Sequence, residues 1–378
     1  MLYRNALIFT PAGAVRGGFR TEEGRFARLL PGPAAGQGTD LRGVWVLPGL
    51  VDIHIHGAAG ADFTEGDLPS LRRMGKFLAA RGITSFVPAA MAAPWEQLAA
   101  AADAAAAYRD APPDGASRLL GVHLEGPFLA AERCGSQDPA CLCAPDLSAW
   151  EALHRRCGGL LRQVDVAAEL PGAEEFTRRV SRLCTVSLGH TAADYETAAA
   201  FFRAGARHVT HLYNAMAPFH HRAPGVLGAA AERGDVYAEL ICDGLHVHPA
   251  AVKMAFRLFP ERLCLISDAL CCCGMPDGRY FQGGREIVKS GGLARLPDGT
   301  IAGAACHLFE GLRRAVEMGI PAEQAVFAAS TAPARSLGLT DVGAVEPGCR
   351  ADFVLCTPRL ERLAVYMDGR RLPEAEKE

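Results

Sequence analysis

Leu50-Val51-Asp52-Ile53-His54-Ile55-His56 decides the fold: a short strand, read over 50–54, running into two imidazoles. Residues two apart on a strand share a face, so His54 and His56 point the same way. Working outward, further runs of this character are ITSFV at 83–87, LLGVH at 119–123, RQVDVA at 162–167, CTVSL at 184–188, HVTH at 208–211, YAELI at 237–241 and LCLIS at 263–267. Helical periodicity separates most of them, at 67–80, 95–109, 146–156, 173–182, 191–203 and 249–258. This alternation predicts the α/β class and a closed parallel (β/α)8 barrel of the TIM type. A doubly wound sheet competes, but no G-x-G-x-x-G follows the first strand.

The two chain ends read differently. LYRNALIF, FARLLPG and GVWVLPG are short strands with glycine-rich turns, and ADFVLC and LAVYMDGR repeat that character, with Asp368-Gly369 as a tight turn. Neither end can bury its apolar face alone. We therefore expect residues 1–47 and 337–378 to pair into one small β-sandwich, with the barrel over 48–336. The Gly/Pro-rich stretches 126–145, 212–234 and 274–303 read as long loops, and 304–318 as helical.

Composition narrows the function. The 378 residues carry 39 Lys and Arg against 42 Asp and Glu, a net charge of −3, so no cationic field recruits nucleic acid or anionic lipid. No apolar run reaches the roughly 18 residues of a membrane span. The start, MLYRNALIFTPAG, lacks the features of a signal peptide. Thirteen cysteines then read as reduced thiols in a cytoplasmic protein. Cys141-x-Cys143 and the run Cys271-Cys272-Cys273 have the wrong spacing for a zinc knuckle.

A lone H-x-H is equally well a hydrogen-bonded core pair. Recurrence changes the reading. Glu125 follows the third strand, His190 the fifth and Asp268 the eighth, while His211 ends the sixth. Functional groups of a barrel collect at the rim where its strands end. His54, His56, Glu125, His190, His211 and Asp268 together predict a metal site, with donors suited to Zn²⁺ or Fe²⁺, and hence a metal-dependent hydrolase. His123 is read as a supporting or core histidine rather than a ligand. His154 and His208 are read as structural or surface residues, and His307 as functionally neutral.

The phrases PGLVDIHIHG, GVHLEGPF, SLGHT, VTHLYNAM, APG, ICDGLHVHP, LISDA, DGTIAG, TAPARSLGL and ADFVLC resemble those of the N-acetylglucosamine-6-phosphate deacetylases of the amidohydrolase superfamily. The resemblance runs over nearly the whole chain. HLYNAM with DGLHVHP marks the deacetylase branch, whereas D-x-H-x-H alone marks only the superfamily. It implies hydrolysis of the acetamide of N-acetyl-D-glucosamine 6-phosphate, with Glu125, His190 and His211 on the principal metal. Because His54 and His56 are intact, two metals bridged by Glu125 are favoured over one. Asp268 is implied as the general base and as a metal contact, and His246 as a partner of the developing oxyanion. Substrate contacts are implied at Ser136, Gln137, Asn214, Ala215, His246, Ile301, Ala302 and Gly303. Arg222 is implied on the phosphate of the neighbouring subunit of a homodimer, with His220 and His221 beside it.

The chain departs from many relatives in carrying Gln137 for histidine, after Cys134-Gly135-Ser136 in place of a Lys/Arg-Gly-Ala stretch. Gln137 can bond a sugar hydroxyl but adds no positive charge. The Cys271-Cys272-Cys273 run, close behind Asp268, reads mainly as packing, with opportunistic thiolate coordination or oxidation as the other reading. Alternatives are the galactosamine isomer of the substrate, a cyclic amidase or deaminase of the same superfamily, and a non-catalytic scaffold. Many amidases bridge their metals with a carboxylated lysine. No lysine lies between Lys76 and Lys253.

Overall fold

A computed structural model describes residues 1–33 and 36–373. Parallel strands at Leu50–Ile55, Ile83–Ala90, Val122–Leu124, Leu161–Val166, Thr185–Leu188, His208–Val209, Tyr237–Ile241 and Leu263–Ile266 follow one another around a barrel. Arg118–Leu119 pairs with the second strand as a short forerunner of the third. The seam between the eighth strand and the first is closed by loop backbone: Asp268 N–H donates to the His54 carbonyl at 3.0 Å and His56 N–H to that of Ala269 at 2.9 Å. The expected barrel is therefore present.

Helices cover its outside, and side-chain caps set the starts of several of them. Asp67 accepts from Ser70 N–H ahead of Leu68–Ala80, and Asp146 from Ala149 N–H ahead of Leu147–Arg156. Asp194 caps Tyr195–Ala204 in the same way, so this helix begins four residues later than its periodicity suggests. Alternation along the strands divides apolar from polar. Val51 and Ile53 join an outer hydrophobic cluster with Ala332 and Val342, while Asp52, His54 and His56 are buried on the other face. Gln163 and His54 both bond Glu239 from different strands, so this second face is the barrel interior.

Both chain ends share one eight-stranded sheet in the order Arg370–Arg371, Arg362–Met367, Phe353–Cys356, Trp45–Pro48, Leu2–Thr10, Gly13–Glu22, Arg25–Pro31, with Thr39–Asp40 added to Leu2–Thr10. Phe353 and Phe19 are three strands apart, roughly 14 Å in a flat sheet. Their ring centroids lie only 5.2 Å apart, so the sheet curls over on an aromatic core with Tyr3 and Phe26. Asp368 and Gly369 both have positive φ, 48° and 72°, and close the last hairpin as a two-residue turn. We propose 1–47 with 337–378 as one unit and 48–336 as the other; residues 374–378 of that span lie outside the described residues.

The long loops carry more structure than their composition suggests. Residues 274–303 hold most of a four-stranded antiparallel sheet (Gly278–Gln282, Arg285–Ser290, Leu293–Arg295, Ile301–Ala304). Gly283-Gly284 and Gly291-Gly292 have positive φ and turn its first two hairpins. These glycines read as loop punctuation because the strands between them are short. A helix, Gly225–Ala231, sits inside 212–234, and short turns Ala131–Arg133 and Pro139–Cys141 sit inside 126–145. Among the described residues, no helix is long and apolar enough to cross a membrane.

Candidate metal centre

The six expected ligands converge at the rim where the barrel strands end. Glu125, one residue past the third strand, stands at the centre. Its Oε1 lies 3.3 Å from His54 Nε2, 3.3 Å from His190 Nε2 and 3.1 Å from His211 Nε2, and its Oε2 lies 3.2 Å from His56 Nε2. Asp268 Oδ1 is 3.2 Å from His56 Nε2 and 3.6 Å from His54 Nε2. Two triads result among these six, Glu125 with His190 and His211, and His54 with His56 and Asp268, while a third close-set group joins His54 to His123 and Glu239.

The outward ring nitrogens explain why the inner ones converge. His56 Nδ1 lies 3.0 Å from the Ala89 carbonyl and His190 Nδ1 2.8 Å from that of Arg133. A carbonyl only accepts, so each Nδ1 donates and each Nε2 is left facing inward, free to hold a proton or to give its lone pair to a cation. His54 Nδ1 meets the Glu239 carboxylate at 2.9 Å with the same result. Such a set fits a borderline divalent cation, and the outer partners are those that orient metal-binding imidazoles. Burial disfavours a charged His54, but Glu239 and Glu125 outweigh it and hold the ring's affinity for protons well above its usual range. Burial would raise Glu125, yet His56 and His54 hold it well below the usual carboxylate range. The field that keeps protons on these rings is the field that favours a cation in their place.

Backbone strain accompanies the ligands. His190, His211 and Asp268 sit at φ of 47°, 28° and 48°, a region non-glycine residues rarely occupy. Each such conformation costs on the order of 1–3 kcal/mol and persists where the surroundings over-determine it. Gly189 allows one close approach, since a Cβ there would lie 2.8 Å from Thr210 Cβ and 3.0 Å from Asp165 Oδ2.

A cavity of 390 Å³ opens over the cluster, lined among others by Ser136, Asn214, Ala215, His246, Ile301, Ala302 and Gly303. The Ser136 hydroxyl donates to the Ala302 carbonyl at 3.0 Å and so ties one wall to the other. Asn214 donates to the carbonyls of His211 and Leu212, and the Ala215 carbonyl accepts from Thr191 N–H. His246 Nδ1 lies 2.6 Å from Asp243 Oδ2. Burial would raise Asp243, but His246 and the backbone N–H groups hold it below the usual carboxylate range.

Two expected substrate residues are placed differently from the rest. Gln137 touches the cavity, but its amide is committed: Nε2 donates to Glu125 Oε2, and Oε1 accepts from Ala92 N–H at 2.8 Å. Arg222 is exposed, lies outside this chain's own cavity lining, and meets His221 Nε2 at 2.8 Å. Cys271, Cys272 and Cys273 are buried, and burial pushes all three thiols up, away from thiolate coordination. His123 bonds Asp165 Oδ1 at 2.8 Å in the barrel interior. Glu239, Asp243 and the lining residue Arg133 were not singled out from the sequence. The polar residues alternating with apolar ones in Y-A-E-L-I would have flagged the first.

The model of the Amidohydrolase family matches residues 45–372. The chain is 36% identical over 338 residues to N-acetylglucosamine-6-phosphate deacetylase of Bacillus subtilis (strain 168), covering 86% of this chain and 83% of that one. It is 33% identical over 353 residues, 93% of each chain, to N-acetylgalactosamine-6-phosphate deacetylase of Escherichia coli O157:H7. Among solved structures, it is similar to an aspartate-to-alanine variant of N-acetyl-D-glucosamine-6-phosphate deacetylase from Mycobacterium smegmatis in complex with N-acetyl-D-glucosamine-6-phosphate. That match has a TM-score of 0.92 and 33% identity and covers 98% of both chains.

Proposed function

The chain belongs to the amidohydrolase family, and from that premise we propose that it hydrolyses the acetamide of N-acetyl-D-glucosamine 6-phosphate to D-glucosamine 6-phosphate and acetate. One observation carries the reading: a Glu125-centred cluster of four imidazoles and two carboxylates under a sugar-sized cavity, in a chain that matches a substrate-bound deacetylase over 98% of its length. The two triads would hold two divalent cations, zinc or iron, with Glu125 a donor near both. A bound cation supplies a Lewis acid for the acetamide carbonyl and acidifies a water molecule for attack.

The chain's own residues do the rest. Asp268 accepts the proton of the attacking water and returns it to the departing amine, which leaves poorly unless protonated. Burial would raise its pKa, but the His56 hydrogen bond and the His54 charge hold it below the usual carboxylate range, so it is ionised and able to accept. His246, oriented by Asp243, faces the carbonyl oxygen as negative charge grows there. Asn214, Ala215, Ser136 and the 301–303 segment hold the sugar, while Gln137 steadies Glu125. In a homodimer, Arg222 reaches the phosphate of the neighbouring site, which suits its exposure and its distance from its own cavity. The thirteen free cysteines support a cytoplasmic location.

The Escherichia coli relative favours a second reading, the galactosamine isomer. Acetate release from both 6-phosphates and from unphosphorylated N-acetylglucosamine decides among them. We expect the glucosamine 6-phosphate to be fastest, and Arg222→Ala to raise KM for it without affecting the unphosphorylated sugar. Equal rates with and without phosphate end the phosphate-clamp role. No acetate from any of the three ends the deacetylase reading.

A further inference from the structure

Beneath the ligand atoms lies a carboxylate that none of the chemistry above consumes. Glu239, on the seventh barrel strand, is fully buried, and both of its oxygens are occupied. Oε2 lies 2.9 Å from His54 Nδ1 and 3.3 Å from the backbone N–H of His211. Oε1 accepts from Gln163 Nε2 at 2.7 Å and lies 3.5 Å from His208 Nδ1. Resting on the reading of a metal-dependent deacetylase, we propose that Glu239 is a positioning residue that aims His54 at the second metal position and ties it to the first.

The argument turns on what surrounds each imidazole. His56 and His190 are oriented by neutral carbonyls, whereas His54 alone among the four has a carboxylate behind it. An ionised carboxylate fixes the proton on Nδ1 and makes Nε2 a stronger donor than a carbonyl can. Among the described residues His211 Nδ1 has no hydrogen-bond partner, so its ring relies on its backbone. That backbone is strained, at φ 28°, and its N–H is held by the same Glu239 oxygen that holds His54. The same oxygen thus holds His54 by its ring but His211 only by its backbone N–H, so the second metal position should depend on Glu239 far more than the first. Outer partners of this kind typically change metal affinity by about 10–100-fold when removed. Glutamine at 239 can still accept from His54 but brings an amide toward neighbours that all donate, so it should do only part of the work.

Wild type, Glu239→Ala and Glu239→Gln, each purified loaded with zinc, are challenged with a chromogenic zinc chelator, and the metal released is counted per chain. The wild type should hold two equivalents. In Glu239→Ala one equivalent should be lost at about 10–100-fold lower chelator concentration while the other holds within about threefold, with Glu239→Gln between. Two equivalents held as tightly as in wild type overturn the proposal, as does a wild type that holds only one. Loss of both in step with a fall in Tm reduces Glu239 to packing and overturns it too. Acetate release is read separately. A wild type that holds two zinc ions but frees no acetate refutes the substrate reading and leaves the chelator result on Glu239 standing.

Discussion

Replacing Asp268 with asparagine changes one property of the site and little else. The two side chains have nearly the same volume, so no cavity forms, and the asparagine Oδ1 can keep the place 3.2 Å from His56 Nε2. Metal should therefore stay, and so should substrate, because the cavity lining at Asn214, Ala215, Ser136 and the 301–303 segment is untouched. What is lost is the proton acceptor. General base and acid catalysis at one position contributes about 10²–10⁴-fold, which is roughly 3–5 kcal/mol on the barrier. We expect D268N to bind both metals, to keep KM within about threefold, and to lose at least about 10²-fold in kcat. Acetate release at saturating N-acetylglucosamine 6-phosphate, with metal counted on the same sample, measures both. A kcat within about tenfold of wild type would falsify the assignment, because a group supplying 10² or more cannot be spared so cheaply. A D268N that has lost its metal would instead make Asp268 chiefly a ligand.

Gln137→Ala strands one buried group, the Ala92 N–H, and leaves Glu125 Oε2 with His56 but without the Gln137 amide. We expect about 1–3 kcal/mol less stability in urea unfolding; a midpoint unchanged from wild type would return Gln137 to the role of a simple sugar contact. His307 caps the helix Leu308–Glu317 in a capping box with Glu310. Burial first, then Arg81, Arg362 and Arg313, lowers its pKa from 6.5 to about 3. Between those values the unfolded chain binds a proton that the folded one does not. The stability His307 contributes is therefore complete above about pH 6.5 and is lost as pH falls toward 3. His307→Asn keeps a capping acceptor without the titration. From pH 7 to 5 wild type should lose about 2 kcal/mol relative to this variant, and parallel pH curves would show that the ring takes up its proton in the folded state.

Local pattern carried the barrel because its strands and helices each announce themselves over a few residues. LCLIS is read correctly without knowing that it sits beside the first strand. The same local reading places Asp268 just past the LCLIS strand. Pattern failed where the signal was shared with loops. Gly283-Gly284 and Gly291-Gly292 punctuate a sheet as readily as a loop, and the strands between them, such as Leu293–Arg295, are too short to show a period.

The barrel, the joining of the two chain ends in one small β unit and the strand-end places of the six acid and imidazole side chains were legible in the sequence, because hydrophobic period and strand-end position are local properties of the chain. Tertiary structure alone decided which partner each of those residues faces. Glu239 reaches His54 across 185 residues of sequence, and Gln137 donates its amide to Glu125. The left-handed backbones of His190, His211 and Asp268 belong to the same class. Hydrogen bonds between distant strands and strain held by surrounding packing exist only once the barrel has closed.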